Sequence, residues 1–132
     1  MRIGNIFHEE NRREEGPKRI IIERLHFDKS QASQYESLVE IHHKTINQLD
    51  QQIGELRNKL FLSLKEENTM NKDSIQNALL DSQRKIEIIN YSHFQDIKKI
   101  CKPDQLNYFN ELTAELAELF NKNENNPRDT KD

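Results

Sequence analysis

Two long segments of this chain repeat apolar residues at alternating intervals of three and four, and this pattern constrains the fold most strongly. They span residues 32–64 and 75–100. Such spacing is typical of helices that pack against a partner along one narrow stripe. In each segment one position of the stripe holds histidine where an apolar residue is expected, His42 in the first and His93 in the second.

The composition agrees with long helices. Hydrophobic and charged residues each make up 33% of the 132 residues, which leaves too little apolar material for a thick globular core. Three glycines, three prolines and no tryptophan fit poorly with a sheet protein rich in turns. The net charge of −3, with both signs interspersed, provides no basic face for nucleic acid.

Cap signals divide the chain into helices. Asp28 followed by Gln31 has the spacing of a capping box, Asp73 with Gln76 repeats it, and Pro103 opens a last helix. The expected fold is therefore all-α, a four-helix hooked hairpin. Its long antiparallel helices are predicted at about 28–66 and 73–101, and its short flanking helices at about 17–25 and 103–121.

The remaining segments lack periodicity. Residues 1–16 are predicted to be a flexible lead-in, 17–121 the helical-hairpin domain and 122–132 a disordered tail. No run of about 18 apolar residues is present, and the start is too polar for a secretory signal. If the protein is exported, its signal or membrane anchor is expected to lie outside this chain.

The positions of the two histidines predict that their imidazoles meet. Measured from the turn predicted at 66–72, the heights of His42 and His93 differ by roughly 4–5 Å at 1.5 Å per residue. Such a pair is either half of a metal site or a polar notch in a helical core.

Further ligands are less clear from the pattern. They would come from the nearby carboxylates and amide, from His43 of a second subunit, or from water; those side chains are Glu36, Glu40, Asn90 and Asp96. Cys101 is either a soft ligand, an intermolecular disulfide partner or a small apolar residue at a helix end. No nucleophile–base pair, phosphate-binding glycine loop or paired carboxylates are evident, so we do not expect an enzyme.

Two short segments of the chain resemble each other. Leu25-His26-Phe27-Asp28-Lys29-Ser30-Gln31 and Ile100-Cys101-Lys102-Pro103-Asp104-Gln105 each start a helix and end in glutamine. They are similar to the LTxxQ pattern of the Spy/CpxP superfamily, with Asp28 and Lys102 at the threonine positions. The segments Glu40-Ile41-His42-His43 and His93-Phe94 resemble those of its periplasmic heavy-metal sensors of the CnrX/ZraP type.

The resemblance covers roughly residues 17–120 and implies a dimer outside the cytoplasmic membrane, anchored to the inner membrane in the full-length protein. It implies a sensor of envelope or heavy-metal stress that signals to an anti-sigma factor or other membrane regulator. The sensor would bind nickel, cobalt, copper or zinc through His42 and His93, with Glu40 or His43 assisting. The alternative is an ATP-independent chaperone or stress adaptor that holds unfolded clients without metal. Because Lys102 is a poor N-cap, the fourth helix is expected to depend mainly on Pro103 and packing.

Overall fold

The computed structural model describes residues 15–66 and 70–124, and within them the chain is all-α. Four α-helices follow one another: α1 Glu15–Leu25, α2 Lys29–Leu62, α3 Met70–Ile100 and α4 Leu106–Glu124. Short 3-10 turns at Ser63–Lys65 and Pro103–Gln105 follow α2 and precede α4. No strand occurs in these ranges. The predicted all-α helical hairpin with two long helices is confirmed; the predicted dimer stays a prediction.

Several element boundaries differ from those predicted. The last turn of α2 tightens into the 3-10 turn, and α3 begins at Met70 rather than Asp73. Asp73 therefore lies inside the first turn of α3, where a carboxylate interacts favourably with the helix dipole. Helices α1 and α4 also extend into the predicted lead-in and tail, and the rest of those two segments falls outside the described residues.

The described residues form two compact units. The terminal unit comprises residues 15–39 and 96–124, and the hairpin unit comprises 40–66 and 70–95. The terminal unit has an apolar core made of Leu25, Phe27, Tyr35, Val39, Ile97, Phe109 and Leu112. The buried residues of the hairpin unit are more mixed: Ile46, Leu49 and Ile53 are apolar, whereas His42, Ser63, Ser82, Asn90 and His93 are polar. The hairpin unit therefore buries polar side chains at positions where a packed helix pair normally has apolar ones.

The start of α2 is fixed by the capping box that the sequence predicts. The Gln31 backbone N–H donates to Asp28 Oδ1 at 2.8 Å, and the Asp28 backbone N–H donates to Gln31 Oε1 at 3.0 Å. Two backbone donors at the helix start are satisfied in this way. The same contacts, with the ammonium of Lys102, hold the pKa of the Asp28 carboxyl below its usual value.

The start of α4 is built in a similar way without a capping side chain. The backbone N–H of Lys102 donates to Gln105 Oε1 at 2.8 Å, and no side-chain cap is made by Lys102 itself. The expectation that Pro103 and packing mainly hold this helix is therefore incomplete. The Gln105 side chain also stabilises the start of the helix, because its Oε1 accepts the backbone hydrogen bond of Lys102.

Gln31 and Gln105 also bind each other. Gln31 Nε2 donates to Gln105 Oε1 at 2.7 Å, and Gln105 Nε2 donates to Gln31 Oε1 at 3.1 Å. Each amide makes one more bond, to a carbonyl two residues before the opposite cap: Gln31 Nε2 to Ile100 O and Gln105 Nε2 to His26 O. The two similar segments of sequence therefore make equivalent contacts.

The two cap positions, Asp28 and Lys102, are joined by an ion pair. Lys102 Nζ lies 3.1 Å from Asp28 Oδ2, with both side chains at least half exposed. Exposed pairs of this kind add little stability. Opposite charges nevertheless occupy equivalent positions of the two similar segments.

Between α1 and α2 the chain turns through a left-handed residue. His26 has φ 58°, and the hydrogen bonds from His26 N to Glu23 O and from Phe27 N to Ile22 O form a Schellman motif. Glycine usually occupies this position, because a side chain at positive φ costs about 1 kcal/mol. The His26 ring stacks on Tyr108 at a centroid distance of 4.0 Å, which offsets part of that cost.

Gly54 lies inside α2 on an exposed surface. A Cβ added there would meet nothing within 4 Å among the described residues. Gly54 is therefore a surface glycine, and no close helix approach within the described residues requires it.

Candidate functional site

The two stripe histidines lie against each other inside the hairpin unit. His42 on α2 and His93 on α3 are 3% and 6% exposed, and their ring centroids are 4.1 Å apart. The ring planes are inclined by only 22°, so the imidazoles are stacked face to face. The prediction that these residues meet across the helix pair is confirmed.

Burial keeps both rings neutral. Desolvation, with smaller contributions of the same direction from His42 and His43, lowers the pKa of His93 to about 3. Desolvation also lowers the pKa of His42, partly opposed by its hydrogen bond to Asn90. Two neutral imidazoles can lie face to face without charge repulsion, and neutral imidazole is the form that binds metal ions.

Asn90 completes the buried group. It lies one helical turn before His93, is 5% exposed, and its Oδ1 is 2.7 Å from His42 Nε2. Its Nδ2 is also buried and makes no hydrogen bond within the described residues. Phe94 contacts the edge of the His93 ring at a centroid distance of 5.4 Å, so an apolar ring borders the group. We call His42, Asn90 and His93 the histidine–asparagine cluster.

The stacked arrangement does not present both imidazoles to one metal ion. A ligating nitrogen directs its lone pair within its own ring plane, so a shared ion must lie close to both planes. Ring planes inclined by only 22° are nearly parallel, so the in-plane lone pairs of the two rings do not converge on one ion at a metal–nitrogen distance of about 2 Å. Binding of one ion by both residues therefore requires at least one ring to leave the stack.

Of the other predicted ligands, Asn90 lies against His42, whereas Glu36 is exposed and Asp96 is half-buried. Glu40 is exposed, whereas His43 is half-buried and close enough to influence the pKa of both cluster histidines. In the part of the chain that the structure describes, no group of three or more His, Cys, Asp or Glu side chains is placed to hold a metal ion. The cluster thus supplies two nitrogen donors, and any third ligand has to move toward them.

Cys101 belongs to the terminal unit. It is a free thiol, half-buried, with Sγ 3.7 Å from the carbonyl oxygen of Ile97. Burial raises the pKa of this thiol, which disfavours the thiolate that metals bind. These contacts agree best with Cys101 as a small packing residue.

Sequence reasoning considered Asn90 only as a metal ligand and missed its contact with His42. The signal was present, because Asn90 precedes His93 by three residues and such pairs share one face of a helix. A polar residue next to a histidine vacancy on the same stripe indicates a hydrogen-bonded group rather than an isolated substitution.

The hairpin unit also exposes many large apolar side chains. Those more than 45% exposed in this unit are Ile41, Phe61, Leu62, Leu64, Met70, Leu80, Ile88 and Tyr91. On α3, Leu80, Ile88 and Tyr91 recur at intervals that place them on the side away from the buried stripe. Large contiguous apolar patches, as opposed to single exposed apolar residues, are a feature of surfaces that contact other molecules.

Comparisons with known proteins add no relative. The chain matches no protein-family model, no curated protein and no solved structure. None of the described helices is long and apolar enough to cross a membrane.

Proposed function

We propose that this chain binds a divalent transition-metal ion, of the class nickel, cobalt, copper or zinc, through His42 and His93. The proposal rests on one observation: two buried, neutral imidazoles from different helices are in direct contact. Imidazole suits all four ions. Glu40 and His43, each within two residues of His42, are the side chains nearest in sequence to add ligands.

Binding would be coupled to helix packing. The rings cannot share an ion while they are stacked, so ligation replaces a contact between α2 and α3 with a different one. A site whose occupation changes the helix contact is suited to a sensor, because a ligand shifts a conformational equilibrium only by its differential affinity for the two states. The cost of breaking the stack lowers the apparent affinity and raises the concentration at which the protein responds.

On this proposal the chain acts outside the cytoplasm as a regulator of an envelope or heavy-metal stress response. The resemblance of Glu40-Ile41-His42-His43 and His93-Phe94 to periplasmic heavy-metal sensors supports this role. The same resemblance supports a homodimer, attachment to the inner membrane in the full-length protein, and a membrane-bound anti-sigma partner.

Calorimetric titration tests the metal proposal. Nickel, cobalt, copper and zinc are added in turn to the chain and to the His42→Gln/His93→Gln double variant. Glutamine keeps a polar side chain in the buried position without an imidazole nitrogen. His8→Gln is the matched control, because it removes one histidine from the N-terminal segment and leaves the cluster intact.

We expect micromolar or tighter binding of at least one ion by the chain and by the His8→Gln variant, and its loss in the double variant. Equal weak binding by all three proteins would refute the metal proposal. Circular dichroism of each protein shows whether the double variant still folds, so that lost binding is not confused with lost structure.

A second function is favoured by a different observation, the exposed apolar side chains of the hairpin unit. We infer that these side chains suit an ATP-independent chaperone that holds apolar segments of unfolded clients without metal. The test is suppression of a model client's aggregation by the metal-free chain at near-stoichiometric ratio. Ile88→Ser/Tyr91→Ser removes two of the exposed groups and should weaken suppression, whereas Gln83→Ser on the same helix should not. No suppression at large excess would contradict this function.

A further inference from the structure

The face of α3 opposite the buried stripe carries a second heptad pattern. Its four residues are spaced at intervals of four, three and four, which is the spacing of core positions in a coiled coil: Leu80, Arg84, Glu87 and Tyr91. All four are exposed; Leu80 and Tyr91 are 65% and 70% exposed, and the Arg84 side chain is 72% exposed. We call these residues the outer seam, which has apolar side chains at its two ends and opposite charges at its centre.

The outer seam is complementary to a second copy of itself in the antiparallel direction. If a two-fold axis passes between residues 85 and 86, Leu80 of one copy lies level with Tyr91 of the other. The same axis places Arg84 level with Glu87. Each layer therefore joins two apolar side chains or two opposite charges, and the axis repeats each layer once.

The complementarity continues along α3 beyond the outer seam. Asp73 in the first turn and Lys98 in the last turn lie seven residues beyond its two ends, so they continue the same heptad. Both are exposed, and the same axis places them level with each other. The layer in between joins Asn77 to Phe94 and carries no charge.

A parallel pairing in register has the opposite electrostatic effect. It would bring each charged residue of the seam against its own copy, arginine against arginine and glutamate against glutamate. Like charges that meet at an interface are strongly unfavourable. The charge pattern therefore favours the antiparallel arrangement and excludes the parallel one, which is how specific helix pairs select their orientation.

From this pattern we propose that the outer seam of α3 is a homodimer interface, on which a second copy of the chain packs antiparallel about an axis between residues 85 and 86. The inference rests on the homodimer proposed above and adds to it the surface, the orientation and the register. Within one chain Arg84 lies 3.5 Å from Asp81, an exposed contact that contributes little stability. Exchange of this contact for Glu87 of the second copy therefore costs little.

Analytical ultracentrifugation of the metal-free chain tests the interface. We expect a monomer–dimer equilibrium. Arg84→Glu sets two acidic side chains level with each other in each central layer and should raise the dimer dissociation constant at least about tenfold. Arg84→Glu/Glu87→Arg exchanges the two charges and should restore it. Lys85→Glu is the matched control, because this exposed residue lies one position off the seam, and it should leave the constant unchanged.

Disulfide cross-linking tests the orientation. In a Cys101→Ser background, chains with Leu80→Cys are mixed with chains with Tyr91→Cys under mild oxidation. Antiparallel pairing brings these two positions level, so mixed disulfides should form fastest. Two copies of either position are separated by roughly 16 Å along the helix, which is beyond the reach of a disulfide.

The outcomes separate the interface from the homodimer itself. A chain that stays monomeric even at millimolar concentration would refute both. A dimer that is insensitive to Arg84→Glu, or one that cross-links Leu80→Cys to itself fastest, would refute this interface alone. A monomeric chain that suppresses client aggregation through Ile88 and Tyr91 would show instead that this face binds clients, and would overturn the inference.

Discussion

Removal of the Gln105 side chain should strongly destabilise the terminal unit. Its amide makes four hydrogen bonds, to the backbone of Lys102 and His26 and twice to Gln31. A net contribution of about 1 kcal/mol for each bond gives an upper value of about 4 kcal/mol. An open groove of about 420 Å³ borders this amide, so water can replace part of what is lost.

We therefore expect Gln105→Ala to lower the free energy of unfolding by about 2–3 kcal/mol, equivalent to roughly 10 °C in Tm. The assay is urea unfolding followed by circular dichroism at 222 nm. Gln51→Ala, an exposed change in the middle of α2, is the matched control and should stay within about 0.5 kcal/mol.

A double-mutant cycle tests the mutual amide pair itself. Because Gln31 and Gln105 share two hydrogen bonds, the double Ala variant should be less destabilised than the sum of the single variants by about 1 kcal/mol or more. Additive effects, or a Gln105→Ala cost no larger than that of Gln51→Ala, would refute the structural reasoning.

Three other predictions concern separate parts of the molecule. Burial holds the pKa of His93 at about 3 in the folded chain, below the value near 6.5 in the unfolded chain. Because the unfolded chain therefore binds a proton first as the pH falls, the free energy of unfolding should drop by about 2 kcal/mol between pH 7 and pH 5. Urea unfolding across this range, with the chain and with His93→Gln, checks this contribution. Gly54→Ala should raise the free energy of unfolding by about 1 kcal/mol, since the added methyl meets no atom, and a lower Tm would contradict this. His26→Val should cost more than His26→Gly, because a β-branched residue is strained at φ 58°; equal thermal shifts would show that the left-handed turn is not occupied in solution.

The long-range features that follow from periodicity were predictable. The stripe spacing indicated two long helices and brought His42 to His93, because helix rise and turn position together set the relative heights of residues. The capping box of Asp28 and Gln31 was also predictable, since both partners lie within one helical turn.

What could not be predicted depends on side-chain orientation. The spacing places two imidazoles together but does not say whether their planes stack or converge, and that difference decides whether an ion fits without rearrangement. Similarly, the repeated glutamines were visible in the sequence, but their mutual hydrogen bonds join residues 74 positions apart. No local propensity contains that information.

The sequence also misplaced the beginning of α3. Asp73 resembles an N-cap, yet the helix already includes Met70. A single Asp-x-x-Gln match does not show whether the aspartate is the N-cap or lies in the first turn, because a carboxylate is favourable at both positions.

The paired glutamines imply an order of events during folding. Gln31 can complete its cap as soon as α2 begins to form, because that contact is local. Its second partner lies 74 residues later and leaves the ribosome only after both long helices have been synthesised. The buried amide of Gln31 therefore stays incompletely bonded until α4 docks. Closure of the terminal unit without the Gln105 segment would leave part of this buried amide unpaired, which disfavours that order of assembly.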